Sequence, residues 1–138
     1  MMKKIILFMV CILTFTTMHA QKLSDLPQKE REAYLIKKAK EIYKEKKWKK
    51  FYREFGIPKI RSFKVEGECS DPTDPFYRCK DGDFYYEVFF YYDEEKEEME
   101  TEFAARVTIR DKDGKAVLIY LGSNIGVLLR NKQGEVGR

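Results

Sequence analysis

The spacing of apolar side chains changes once along the chain, from a helical period to a strand period near Pro58. Before this point Leu35, Ala39, Ile42 and Tyr43 recur at the spacing of one helix face. After it, apolar and polar residues alternate, as they do on a half-buried strand. The pattern therefore predicts a helix followed by a series of strands.

The predicted helix has a clear beginning and end. The residues of 24–27 offer capping oxygens and a proline that the first helical turn tolerates. Trp48, Phe51 and Phe55 fall nearly opposite the first apolar face, so either the helix breaks or bends within 44–47, or one straight helix is buried on different sides. We favour the break. Gly56 and the proline two residues later end the helical region.

Five segments carry the strand pattern. The first contains Phe63 and Val65, and the second, 84–92, has aromatic or apolar residues on both faces. The third, 101–110, directs Phe103, Ala105, Val107 and Ile109 inward. A turn at 111–114 leads to the fourth strand, in which Val117, Ile119 and Leu121 share one face and Ala116, Leu118 and Tyr120 the other. A short strand at 125–129 follows, and 130–138 is predicted to be a polar, frayed tail.

This order predicts an α+β domain in which an N-terminal helix, broken near 44–47, packs on a four- to five-stranded antiparallel sheet. In architecture alone it resembles the cystatin-like and NTF2-like folds. The segment Phe63-Lys64-Val65-Glu66-Gly67 lacks the glutamine of the Q-x-V-x-G loop of cystatins. The resemblance therefore implies a fold and no inhibitory activity.

The N-terminus has the pattern of a secretory signal peptide over 1–20. Lys3 and Lys4 precede an apolar run from Ile5 to Thr16, and Ala20 provides the small residue before the cleavage site. The run is too short and too often interrupted for a membrane anchor. We therefore predict cleavage before Gln21, a single α+β domain over 21–138, and a periplasmic or secreted location.

Cleavage at this site would remove His19, the only histidine, and Cys11, one of three cysteines. Without imidazole, and with the remaining thiols bonded to each other, the usual nucleophilic mechanisms are excluded. Cys69 and Cys79 are predicted to form a disulfide bond in an oxidising compartment. The sequence thus predicts a protein that is not an enzyme.

Carboxylates offer the remaining chemistry. A hydrolase using Asp81, Asp83 and Glu87 is a distant alternative, because acidic residues beside Gly82 are common in turns. No zinc or haem pattern is present in the predicted mature chain, so we predict no cofactor and no metal site. The weak calcium candidates are the turn at 111–114 and the four aspartates Asp71, Asp74, Asp81 and Asp83.

Charge is unevenly distributed along the chain. Residues 21–64 contain 15 basic and 6 acidic side chains, whereas residues 65–105 contain 3 basic and 14 acidic ones. An acidic hairpin loop is predicted at 93–100, as a docking element for a basic partner or as a solvated loop. Eight lysines of the helical region offer contact with an anionic envelope surface: Lys37, Lys38, Lys40, Lys44, Lys46, Lys47, Lys49 and Lys50. Export argues against nucleic acid as a partner.

One helix covers only one face of a sheet, so the aromatic residues of the other face are the main functional candidates. They form a ligand groove, a partner surface or a dimer interface, unless the sheet or the C-terminal segment covers them. We predict a small binding protein that engages a protein partner, with an inhibitor or immunity-type role or self-association as variants. The alternative is a carrier of a small apolar ligand. The predicted binding residues are Tyr85, Phe89, Tyr91, Tyr120, Glu94, Glu95, Glu97 and Glu98.

Overall fold

The computed structural model describes residues 22–138. The predicted signal peptide and its cleavage site lie outside the described residues. Within residues 22–138 the buried apolar side chains extend from Leu23 to Val136, and they form two clusters, one on each face of a single sheet. The described part of the chain therefore carries its own hydrophobic core.

The helical region has the predicted break. A 3-10 turn at Leu23–Asp25 precedes helix α1, Gln28–Tyr43, and a second 3-10 helix covers Lys46–Phe51. The reversal of the apolar face explains the break, because it lets Leu35 and Trp48 enter the same cluster. Phe55 follows the second element and is 54% exposed, so it does not belong to the predicted second apolar face.

The sheet is an antiparallel meander of five strands, each paired with its neighbours in sequence. The strands are β1 (Lys59–Lys64), β2 (Phe84–Phe90), β3 (Ala105–Arg110), β4 (Ala116–Leu121) and β5 (Ile125–Leu128). Helix α1 packs against β2, β3 and β4. The predicted α+β class, with a helix on an antiparallel sheet, is confirmed.

The helix-covered face, here called the first face, holds the main core. The buried side of α1 consists of the four apolar residues that the helical spacing predicted, from Leu35 to Tyr43. They meet alternate residues of the central strands, among them Val88 and Val107, both fully buried. Full burial of such aliphatic side chains contributes about 1.5–3 kcal/mol each.

Asp111 holds the N-terminal segment to the sheet. It is buried and accepts hydrogen bonds from the Tyr86 hydroxyl (2.8 Å) and from the Ser24 backbone N–H and hydroxyl (2.7 and 2.9 Å). The capping oxygens predicted within 24–27 are not used to cap α1, because the residue at the N-cap is Pro27 and no side chain caps the helix there. The Ser24 hydroxyl instead donates its hydrogen bond to Asp111, in a tertiary contact.

Three side chains, those of Ala116, Val117 and Phe103, lie on the opposite face of the sheet to the predicted one. The pairing of β3 with β4 shifts between Thr108 and Ile109, which leaves Val117 as the extra residue of a β-bulge. As a result Ala116 lies in the cluster of the first face, and Val117 lies in the other cluster. Residues 101–104 precede β3 without being part of it, and Phe103 packs beside Phe89 on the opposite face from α1.

The predicted frayed tail at 130–138 is also wrong. Arg138 and Ala116 exchange two backbone hydrogen bonds of 2.7 and 2.8 Å, and the Gly137 N–H donates to the Leu129 carbonyl. Val136 is 7% exposed and belongs to the second cluster. The isolated apolar Val136 is a weak sequence signal, but these long-range backbone bonds attach the segment to the sheet.

Candidate functional site

The face of the sheet opposite α1, here called the second face, is divided into a covered half and an open half. In the covered half, Tyr85 is fully buried in a cluster with Cys79, Val117 and Val136. The cover consists of the 66–83 loop and the C-terminal segment. The aromatic residues of the second face therefore have two different environments.

An aromatic group closes the covered half. The ring of Phe76, from the 66–83 loop, meets the Tyr85 ring edge-on at 4.8 Å, and Phe63 of β1 stacks on Tyr85 at 5.8 Å. Edge-to-face and offset pairs of this kind are favourable beyond the area that they bury. The loop is thus held on the sheet by packing.

The Tyr85 hydroxyl is buried without a hydrogen-bond partner among the described residues. Burial raises the pKa of Tyr85 to about 12, and the nearby Arg110 guanidinium opposes this shift only in part. Arg110 also binds Asp113, through Nε at 3.0 Å and Nη2 at 2.6 Å. Tyr85 is a core residue with an unsatisfied polar group.

The open half is a solvent-facing groove of about 660 Å³. Phe89 and Phe103 contribute its aromatic floor, with their rings perpendicular at 5.4 Å. The ring of Tyr120 continues this row, 6.1 Å from Phe103. The remaining lining residues are Lys59, Ile60, Arg61, Glu87, Tyr91, Glu100, Thr101, Glu102 and Arg106.

Three cations stand over aromatic rings around this groove. Lys59 Nζ lies 5.6 Å from the centre of the Tyr91 ring, and the Arg61 guanidinium lies 5.9 Å from that of Phe89. The Arg106 guanidinium lies over both Phe103 and Tyr120, at 5.6 and 5.0 Å. Each of these cation–π contacts holds a positive charge over an aromatic ring at the open groove, where a partner's side chains can reach it.

Arg106 also forms an ion pair with Glu87 across the floor. The distance from Nε to Oε2 is 3.0 Å, but the N–H does not point along this line, so the contact is electrostatic without being a good hydrogen bond. Both side chains are less than one-third exposed. The guanidinium is therefore fixed by one carboxylate and two rings, and its hydrogen-bonding capacity is only partly used.

Two glycines shape the walls of the groove. A Cβ on Gly122 would lie 2.8 Å from the Phe103 carbonyl oxygen, so only glycine allows the 99–103 segment to approach this closely. The Glu100 N–H donates to the Gly122 carbonyl at 3.1 Å and fixes the same wall. Gly126 pairs with Tyr120, and its missing side chain leaves room for the tyrosine ring.

The four predicted aromatic binding residues are not equivalent. Tyr85 is inaccessible, and Phe89 is 7% exposed beneath its neighbours. Tyr91 and Tyr120 are half-buried at the margins of the groove. The Tyr120 hydroxyl donates to the Asn124 side chain, which holds the ring across β5.

The acidic segment 93–100 folds partly back on the protein. Its first residues form a turn closed by bonds from the Lys96 and Glu97 N–H groups to the Asp93 carbonyl. The Glu97 carboxylate binds Arg53 at 2.7 Å, so it is engaged within the chain. Glu94, Glu95 and Glu98 are exposed. Of the four glutamates predicted to bind, three are therefore exposed and the fourth is engaged within the chain.

The predicted disulfide bond is not formed in the structure, where Cys69 and Cys79 are separate thiols, and the pairing stays a prediction. The Arg78 N–H donates to the Cys69 carbonyl at 2.8 Å, and both cysteines lie in the second cluster. Burial raises the pKa of the Cys79 thiol, which disfavours the reactive thiolate.

The aspartates of the 66–83 loop stabilise turns. Asp71 accepts bonds from the Thr73 N–H and hydroxyl, which lower its pKa, and Asp74 accepts from the Phe76 N–H. Asp81 accepts from the Gly67 N–H and Asp83 from the Lys80 N–H. Within residues 22–138, no group of three or more histidine, cysteine, aspartate or glutamate side chains is arranged to hold a metal ion.

The lysines of the helical region do not form one free basic stripe. Lys40 binds Glu54 at 2.5 Å, and Lys47 lies 3.8 Å from Glu45. Others lie over rings, as Lys50 does over Phe51 at 5.0 Å. In the part of the chain that the structure describes, no helix is both long enough and apolar enough to cross a membrane.

Sequence reasoning missed most of the groove lining, including its three cations and one of its aromatic rings: Lys59, Arg61, Arg106 and Phe103. Lys59 and Arg61 precede the alternation that marked the first strand. Because β1 begins at Lys59, both residues belong to this strand, and its register with β2 places their side chains on the second face. The sequence signal for Arg106 was its outward position in the alternation of the third strand. In the structure it lies opposite Phe89 and Tyr120. Phe103 gave a misleading signal, because it continues the inward pattern of β3 in sequence.

Comparison of the chain with protein-family models, with curated proteins and with solved structures found no match.

Proposed function

We propose that this protein is a small, exported, non-enzymatic binding protein whose open half of the second face engages a protein partner. One observation carries the proposal. The groove combines an aromatic floor with Arg106, Arg61 and Lys59 held over rings, on the half of the second face that the 66–83 loop and the C-terminal segment leave open. Aromatic and arginine side chains are the residue types enriched among binding hot spots.

The same groove is less suited to a carrier of a small apolar ligand. It is open, and six of its lining side chains are charged, whereas apolar ligands are usually bound in enclosed and largely apolar cavities. The charges are arranged by sign, with Lys59 and Arg61 on β1 and Glu100 and Glu102 on the opposite wall. A protein surface with both signs of charge is the complementary partner.

We propose a second role for the exposed glutamates of segment 93–100, which lies beside the groove. Glu94, Glu95 and Glu98 continue into the acidic wall of the groove through Glu100. Exposed charges accelerate the encounter of proteins more than they strengthen the bound state. In this proposal they orient a basic region of the partner, and an inhibitor or immunity-type role suits such a module.

Export places the cysteines in an oxidising compartment, so the proposal includes a bond between Cys69 and Cys79. Two observations support this pairing. Both cysteines lie in one cluster, and the N–H of Arg78, the residue before Cys79, donates to the Cys69 carbonyl. The bond would fix the cover of Tyr85 without entering the groove. Intact mass and thiol labelling of the exported protein test both the cleavage site and the bond.

An affinity experiment tests the binding role. Wild-type protein, Tyr120→Ala and the control Ile36→Ser, which changes the outer face of α1, are used to capture proteins from envelope and secreted fractions. We expect a protein that wild type and the control retain and that Tyr120→Ala loses. Equal capture by all three folded proteins would contradict the proposal.

A further inference from the structure

The outer edge of β1 is an unpaired strand edge beside the groove. β1 is the first strand of the sheet, and it pairs only with β2, over all six of its residues. Among the described residues, no backbone hydrogen bond joins 59–64 to any segment on its other side. Free edges of this kind readily accept an added strand.

The ladder shows which backbone groups point outward. The Val65 N–H donates to the Asp83 carbonyl, and the Val65 carbonyl accepts from Gly82, so Val65 faces the β2 side. Bonded positions alternate along an antiparallel strand, which places the N–H and C=O of Phe63, Arg61 and Lys59 on the same side. The backbone groups of the intervening residues, Ile60, Ser62 and Lys64, therefore point away from the sheet.

The charges on β1 select the strand that this edge accepts. Lys59 and Arg61 stand on the groove side, and Lys64 lies at the end of the strand. Antiparallel pairing of two β1 strands from two copies would bring like charges together, which is unfavourable. An incoming strand with carboxylates beside Lys59 and Arg61 forms opposite-charge pairs instead.

We propose that the partner binds by adding an extended acidic segment to the β1 edge, as a sixth strand. Its carboxylates alternate with apolar residues, so that the acidic side chains lie beside Lys59 and Arg61 and the apolar ones beside Ile60. This inference rests on the proposed binding role, because it names the chemistry of the partner that the groove engages.

A designed peptide provides a probe that does not require the partner. A short blocked peptide of alternating glutamate and valine is titrated into the protein of residues 21–138, which includes both described apolar clusters. Hydrogen exchange is followed at the amide of Ser62, which faces outward, and at that of Arg61, which is already bonded to β2. We expect the exchange of Ser62 to slow by about tenfold at saturation while that of Arg61 stays constant.

A peptide in which lysine replaces glutamate is the charge control, and we expect it to give no protection. Protection by the lysine peptide, or none by the glutamate peptide, would overturn the proposal. Binding of the glutamate peptide should also weaken as salt rises, since the contacts with Lys59 and Arg61 are exposed.

Ser62→Pro tests the edge directly. Proline removes the outward N–H of Ser62 and leaves the bonds between β1 and β2 in place, as edge strands allow. We expect it to weaken peptide binding by about tenfold or more relative to the matched control Ser62→Ala. Circular dichroism establishes that both variants fold, and unchanged binding by folded Ser62→Pro would overturn the proposal.

The natural partner separates this inference from the binding role. Loss of the partner by both Tyr120→Ala and Ser62→Pro supports strand addition. Loss by Tyr120→Ala with full retention by Ser62→Pro would reject strand addition and leave the groove as the binding site. Retention by both variants would reject both proposals.

Discussion

The covered and open halves of the second face use the same kinds of residue for different purposes. Tyr85, in the covered half, is fully buried under Phe76, whereas Tyr120, in the open half, lies at the surface beside Arg106. Both tyrosines belong to strands with an alternating pattern. The difference between them arises from which segment crosses the sheet: the 66–83 loop and the C-terminal residues cover one half only.

This comparison shows that an aromatic strand face is not by itself a binding surface. Covering Tyr85 required chain segments distant in sequence, such as the one that carries Val136. In the open half, charged groups stabilise the rings in place of a cover.

Tyr85→Ala should destabilise the protein by about 3–5 kcal/mol, because it removes a buried ring and leaves a cavity beneath Phe76. Urea denaturation followed by circular dichroism measures the free energy of unfolding. The same change at Tyr120 should cost only about 1 kcal/mol, since that ring is partly solvated. Equal losses for the two variants would remove the distinction between the halves.

Oxidation of Cys69 and Cys79 should stabilise the covered half by about 2–3 kcal/mol, since the bond closes a short loop. The comparison is between exported protein with and without reductant, under the same denaturant. The Cys69→Ser and Cys79→Ser double variant serves as the control, and reductant should not change its stability. A reductant effect of similar size in this variant would exclude the disulfide as its cause.

High pH should destabilise the protein through Tyr85. Its pKa is about 12 in the folded protein and about 10 when unfolded, so folding opposes its ionisation. Stability is therefore unaffected by this ionisation below about pH 10 and falls as pH rises from about 10 toward 12. Tyr85→Phe should lack that part of the loss. Near pH 7 the same change should be close to neutral or stabilising, because it removes an unsatisfied buried hydroxyl. Denaturation curves measured at several pH values give the free energy of unfolding of wild type and Tyr85→Phe. An equal loss of stability at high pH in both proteins would contradict the prediction.

Neutralising Glu94, Glu95 and Glu98 with glutamine should leave stability within about 0.5 kcal/mol of wild type. It should slow association with the captured partner several-fold and reduce the salt dependence of that rate. Stopped-flow or surface-based kinetics distinguish this from a change in dissociation. A faster dissociation with unchanged association would show that the glutamates hold the complex instead of steering it.

Much of the fold could be predicted because local patterns determine it. The helical spacing of Leu35 to Tyr43, the reversal of the apolar face near Trp48, and the turn at 111–114 each act within a few residues. The alternation in 84–90 likewise identified β2 and its two apolar faces. These elements follow from short-range chemistry that the sequence contains.

The parts that could not be predicted depend on long-range contacts or on a change of register. Val117 changes face through a one-residue bulge that the alternation cannot show. Phe103 follows the β3 pattern in sequence, but the chain bends before Ala105, because Gly122 brings the two segments together. Val136 reaches the second face through backbone bonds to β4. The aromatic character of the candidate site was therefore predicted. Its cations, and the boundary between the covered and open halves, were not.

The central claim, that one half of the second face folds the protein and the other binds, is tested most directly with two phenylalanines. Phe76 and Phe103 are both partly buried and both meet another ring edge-on. The affinity for the captured partner is measured for folded Phe76→Ala and Phe103→Ala, together with the free energy of unfolding. The account predicts that Phe76→Ala loses about 2–3 kcal/mol of stability and keeps its affinity, whereas Phe103→Ala stays nearly as stable and binds at least about tenfold more weakly. The reverse pattern, or equal affinities for the two variants, would contradict it.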